Sequence, residues 1–179
     1  MSLKSIIKFI SFNMALLSGN LVSAQGTNFP VPSGNPNQLF YLQRSPNIHT
    51  VICELNYKGN IIDNKNPVHV YWIRYADRGQ KEELSGVQKK FAYGIESREL
   101  ETNNYELNFT SYNKFKMYLK TGEDKRFHVY VTLNKKQVIL EKIYIEIKGG
   151  TFWKPNIEYV EITGTDPATH TIEKERFKI

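Results

Sequence analysis

The sequence predicts a mainly β protein: an antiparallel β-barrel or β-sandwich of about 8–10 strands with one short helix. Three observations carry that prediction. Apolar and polar residues alternate with period two through most of the body, as in Tyr105, Leu107 and Phe109 against Glu106, Asn108 and Thr110. Rings are abundant, with 11 Tyr, 10 Phe and 2 Trp, and large rings fit half-buried pleated surfaces. A single stretch, Gln80–Tyr93, instead places Leu84, Val87 and Phe91 at helical spacing.

Taken in order, residues 1–24 have the form of a cleaved secretory signal. Lys4 and Lys8 precede a largely apolar run without acids, and Val22-Ser23-Ala24 supplies small or modest side chains before a cut at Gln25. Asn13, Ser18, Gly19 and Asn20 interrupt the run and make it a poor bilayer span, so the rival reading as a retained anchor is the weaker one. The expected location is outside the cytoplasm, periplasmic or extracellular, with no integral membrane segment after cleavage. Gln25–Asn37 is rich in Pro, Gly and Asn and reads as a flexible leader. Residues 38–179 then form a single β-rich domain.

Within that domain, Leu39–Arg44 and Ile48–Tyr57 read as strands joined by a Ser45-Pro46-Asn47 turn. Gly59–Asn66 is a polar loop, and Pro67 opens the strand Val68–Tyr75. Phe115, Met117 and Leu119 alternate with lysines, and Phe127, Val129, Val131 and Leu133 alternate with His128, Tyr130 and Thr132. That places one face of each strand in the core and the other in water. The run Val138–Lys148 changes phase. Val138 and Leu140 are apolar at even positions, while Ile143, Ile145 and Ile147 are apolar at odd ones. Only a bulge or sharp bend near Glu141-Lys142 keeps both sets on one face. Ile157–Thr163, a Gly164–Pro167 turn and Thr171–Lys178 complete the chain. In Gln80–Tyr93, acids stand early and lysines late, in keeping with a helix dipole.

Five blocks together carry a resemblance. They are NPVHVYWIRYAD (Asn66–Asp77), KKFAYG (Lys89–Gly94), YELNFTSYNK (Tyr105–Lys114), GGTFWKPNIEYVEITGTDP (Gly149–Pro167) and ERFK (Glu175–Lys178). In this order the chain resembles the secreted bacterial family called domain of unknown function 4833. The resemblance implies a single domain behind a signal peptide and names no catalytic residue.

Composition narrows the function classes. Net charge is +6, and removing the two lysines of residues 1–24 leaves +4, too mild for the basic stripe of a nucleic-acid binder. The lone Cys53 excludes an internal disulfide and a Cys-rich zinc site. The sequence contains no nucleophile elbow, no His-Glu-x-x-His and no phosphate-binding glycine loop. The four histidines (His49, His69, His128 and His170) are not clustered by spacing, and neither a metal nor another cofactor is expected. Only strand pairing of His69 with His128 would change that. The acids Glu96, Glu99, Glu101, Glu158 and Glu161 read as solvated strand faces unless the fold brings two of them across a cleft.

Two places suggest ligand binding. On Val68–Tyr75, Val70, Trp72 and Arg74 share one face, and His69, Tyr71, Ile73 and Tyr75 the other. Neither face is plainly polar, so the strand is expected to be covered on both sides. An Arg there needs an anionic or carbonyl partner. One reading places an acidic ligand on Arg74 in a cavity lined by Tyr71 and Trp72. The rival is a structural pair with Glu82 or Glu83. In the loop Gly149–Pro155, Phe152 and Trp153 are either a lid that stacks on a sugar or a plug that closes the core. The candidate ligand-binding residues are therefore Tyr71, Trp72, Arg74, Phe152 and Trp153. Lys116, Tyr118, Lys120, His128 and Tyr130 form an outward face suited to acidic glycan or to simple cross-strand pairing. The expected function is a non-enzymatic binding module for a small molecule or a glycan. The alternatives are an envelope hydrolase whose residues meet only in the fold, and a structural or interaction domain.

Overall fold

The structure, a computed structural model, describes residues 29–151 and 154–178; the expected signal, 1–24, lies outside the described residues. Eleven strands form one sheet, curled into a half-barrel, and a two-stranded hairpin stands apart from it. The protein is thus mainly β with one short helix, as its alternation predicts. Among the described residues no helix is long and apolar enough to cross a membrane.

β1 (Gln38–Arg44) pairs antiparallel with β2 (Thr50–Leu55), and β2 pairs with β5 (Val68–Arg74). The short hairpin β3 (Tyr57–Lys58) and β4 (Ile61–Ile62) lies within the loop between β2 and β5. β6 (Gln80–Glu83) closes this end of the sheet as an edge strand. On the other side run β7 (Ile95–Glu101), β8 (Asn104–Phe109), β9 (Tyr112–Thr121) and β10 (Phe127–Leu133), a meander that leads into β11 (Lys136–Gly150). β12 (Pro155–Thr165) and β13 (Ile172–Lys178) follow.

β11 joins the two halves. Its first residues, Lys136–Ile139, pair with β10, whereas Lys142–Ile145 pair with β1, and β12 runs along its other edge. The exchange of partners falls at the predicted phase slip. Leu140 stands opposite Gly164 and Lys142 opposite Thr163, which leaves Glu141 as the extra residue of a bulge. Leu140 and Ile143 are consequently both buried. The β1–β11 pairing is parallel, the one departure from antiparallel pairing among the described residues.

The inner face holds the core. Phe40, Leu42, Val51, Cys53 and Ile143 come from one half, and Tyr105, Leu107, Met117, Leu119 and Val129 from the other. Each fully buried aliphatic side chain contributes about 1.5–3 kcal/mol of transfer free energy. Burial in this layer pushes the Cys53 thiol pKa up, so the cysteine is a core hydrophobe.

The predicted helix over Gln80–Tyr93 is half right. Gln80–Glu83 is strand β6, in register with β5, and the helix starts only after Ser85. Ser85 and Gln88 form a reciprocal capping box, α1 (Gly86–Gln88) follows, and a wider π-type turn continues to Tyr93. Val87 and Phe91 are exposed, and Leu84, Ala92 and Tyr93 are the residues turned to the core. A cross-strand ion pair of Glu82 with Arg74 and a cross-strand hydrogen bond of Glu83 with His69 favour the strand over the helical spacing.

The second face of the β1–β2–β5 region is also covered. Residues 29–37 cross it: the Pro30 carbonyl accepts from Gln43 Nε2 at 2.8 Å, and the Phe29 ring meets Tyr144 edge-on at 5.4 Å. Gln43, fully buried, also donates to Thr50 Oγ1 at 2.9 Å. Tyr130, expected on a solvated face, is buried there: Lys120 Nζ lies 4.4 Å from its ring centroid and His128 packs edge-on.

Candidate functional site

Alternation along β5 sends Trp72 inward and Tyr71 outward, so these neighbours do not line one cavity. Trp72 is only 7% exposed. Its ring meets Tyr93 edge-on at 5.1 Å and His49 at 6.2 Å. Tyr71 is buried on the second face, under Lys81 Nζ at 3.7 Å from the ring centroid, with its hydroxyl accepting from Asn35 Nδ2 at 3.2 Å. Arg74 reaches the surface, where Asp77 and Glu82 each hold it at 2.7 Å. Phe152 and Trp153 lie outside the described residues.

The inner face has an end with an unusual polar character. Among the described residues, five buried side-chain nitrogen or oxygen atoms have no hydrogen-bond partner, and three of them belong to Arg44 (Nε), His49 (Nδ1) and Trp72 (Nε1). These residues belong together. Gln43 pairs with Thr50 across β1 and β2, which brings Arg44 and His49 side by side at the strand ends. His49 touches Trp72, Trp72 touches Tyr93, and the charge of Arg44 acts on Tyr93. Burial pushes the Tyr93 phenol up, and the Arg44 guanidinium draws it partly back.

Local chemistry builds this end. Ser45, just beyond β1, exchanges two hydrogen bonds with Ile147: its Oγ accepts from the Ile147 amide at 2.8 Å and donates to the Ile147 carbonyl at 3.2 Å. Arg44 itself stands opposite Ile145. The turn after β1 is thereby tied to the far half of β11, whose hairpin carries the Gly149–Pro155 loop. Arg44 and Tyr93 were not singled out by sequence reasoning. The usable signal was parity: Arg44 follows Phe40 and Leu42 on the core-facing positions of β1.

A second polar cluster lies on the opposite face. His69 Nδ1 is 2.9 Å from Glu54 Oε1, and His69 Nε2 is 2.8 Å from Glu83 Oε1. Burial raises the Glu54 carboxyl pKa, but hydrogen bonds from His69, Asn35 and Lys81 outweigh it and hold the group below the usual carboxylate range. The His69 hydrogen bond likewise lowers Glu83. Each of these polar groups has its partners within the cluster. His69 and His128 sit on β5 and β10, separated by β2, β1 and β11. Among the described residues no three His, Cys, Asp or Glu side chains gather as a metal site. Glu158 and Glu161 pair with Lys148 and Arg176, each at 2.7 Å, rather than facing another acid. A surface hollow of about 280 Å³ lies at Lys58 and Ile61–Lys65 and includes none of the candidate residues.

A family model described as Domain of unknown function (DUF4833) matches residues 40–176. No curated protein and no solved structure matches the chain.

Proposed function

We propose, for a chain that belongs to the family described as Domain of unknown function (DUF4833), the role of an exported, non-enzymatic binding module for a small molecule or a glycan. Its place of work is the periplasm or the extracellular space, after removal of residues 1–24. The ligand sits at the end of the inner face formed by Arg44, His49, Trp72 and Tyr93. One observation carries the reading: three buried polar atoms without partners belong to neighbouring residues at one end of the inner face, whereas most buried polar groups in a folded protein are paired. Such groups cost stability in the unliganded protein, and a ligand that pairs with them recovers that cost on binding.

The test uses the exported chain itself. Intact mass should place its first residue at Gln25. Thermal melts against a panel of neutral and acidic saccharides and small metabolites should show a rise in Tm with at least one of them. A panel that leaves Tm unchanged throughout sinks the binding reading and returns weight to the interaction-domain alternative. Exposed Ile172 and Phe177 on the edge strand β13 favour that alternative.

A further inference from the structure

We infer that the ligand of this site is an oxyanion, the carboxylate of an acidic sugar such as a uronic acid or the phosphate of a phosphorylated one, held by Arg44, Trp72 and His49. The inference rests on the binding reading above and adds the chemical class.

An indole Nε1–H only donates, and a guanidinium only donates; the imidazole Nδ1 is able to do either. At least two of the three unpartnered atoms therefore require an acceptor, and neither fits a ligand amine. Trp72 is more than nine-tenths buried, and its ring is already packed against His49 and Tyr93, so the function it leaves unmet is the N–H. Charge narrows the class further. Arg74, Arg98 and Arg176 each have a carboxylate within 3.1 Å. Arg44 has no carboxylate partner among the described residues, although its Nε is buried and its strand neighbours are Leu42 and Ile145 on the core face. Arg44 is half-buried, with its Nε enclosed, and a guanidinium without a carboxylate beside it is matched by an anion better than by a sugar hydroxyl. A carboxylate or phosphate supplies both the charge and several acceptor lone pairs.

Calorimetric titration of the exported chain with galacturonate, galactose and inorganic phosphate tests this. Galacturonate is expected to bind at least about tenfold more tightly than galactose, and added salt should weaken it. Arg44→Gln should lower the galacturonate affinity by about tenfold or more and Trp72→Phe by several-fold, while Arg126→Gln, an exposed arginine, should leave it unchanged. Should Arg44→Gln fail to fold, Arg44→Lys keeps the charge, and the salt dependence of the wild type reads the same property. Phosphate binding in place of galacturonate supports the oxyanion class with phosphate as its source. Galactose binding as tightly as galacturonate, insensitive to salt and to Arg44→Gln, overturns the oxyanion and leaves the binding module standing. No binding by any of the three probes overturns the oxyanion; only a silent thermal panel as well overturns the module.

Discussion

His49 stands edge-on to Trp72 with ring centroids 6.2 Å apart, and each turns a buried ring nitrogen to no partner. The two residues come from different strand ends, 23 positions apart in the chain, and the β2–β5 ladder brings them together. Their apolar surfaces are well packed while their polar edges are not. That division separates what each side chain does for stability from what it does for a ligand.

Trp72→Phe keeps an aromatic ring against Tyr93 and removes the pyrrole portion with its N–H. It should therefore destabilise the unliganded protein far less than Trp72→Ala, which is expected to cost about 3–5 kcal/mol as for other buried aromatics. Urea midpoints of the two variants check this. Equal losses would show that the phenyl ring does not replace the indole in the packing of this end of the core.

The face assignment of the meander is testable through three residues. Leu119→Ala should cost about 2–5 kcal/mol, since Leu119 is fully buried in the inner layer. Phe127 is only half-buried, so Phe127→Ala should lie below the range for a fully buried ring. Lys116 is exposed and pairs with Glu106 at 2.8 Å, and Lys116→Ala should barely move the urea midpoint. Similar shifts for all three would refute the inward and outward sets.

The bulge at Glu141 makes a sharper demand. Its side chain is exposed, so Glu141→Ala should be nearly neutral. Deleting the residue should unfold the protein or lower Tm severely, because a one-residue shift turns Ile143 and Ile145 away from the core. Gly164 allows the close approach at the same place: a Cβ there would stand 2.6 Å from the Ile139 carbonyl oxygen, so Gly164→Ala should also destabilise. A deletion variant that melts like wild type would remove the bulge from the account.

The Glu54–His69–Glu83 cluster predicts acid sensitivity of a defined sign. Glu54 is held below the usual carboxylate range in the folded state, so between its folded and unfolded values the unfolded chain binds more protons. The stability it contributes is full above the ordinary carboxylate range and is lost as pH falls through the folded value. Glu54→Gln should flatten the acid limb of a Tm-against-pH profile. Parallel acid limbs for wild type and variant would show that the cluster is not linked to folding.

How far the site was readable in the sequence depends on the residue. Trp72 and Tyr71 stood out as large side chains on a strand without a polar face, and both are buried. Arg74 drew attention for the same reason. Its counter-charges are Asp77 and Glu82, the latter already foreseen as a structural partner, although Glu82 lies on a strand rather than a helix. Arg44 and Tyr93 were invisible as a pair because β1 and the π-type turn become neighbours only through the curl of the sheet. The edge strands β6 and β7 were missed for another reason: they are held by backbone ladders, and their exposed side chains carry little alternation.

Alternation by itself determined the mainly β class, the buried set of β8–β10 and the break in β11, because a period-two pattern admits one inward face and a phase change admits only a bulge. Tertiary structure alone decided that β11 leaves β10 for β1, that this pairing is parallel, and that residues 29–37 cover the second face. It also placed Arg44, His49, Trp72 and Tyr93 at one end. The physical reason is that a local pattern encodes which side of a strand is apolar, whereas the choice of neighbouring strand rests on non-local pairing and curvature that no local window contains.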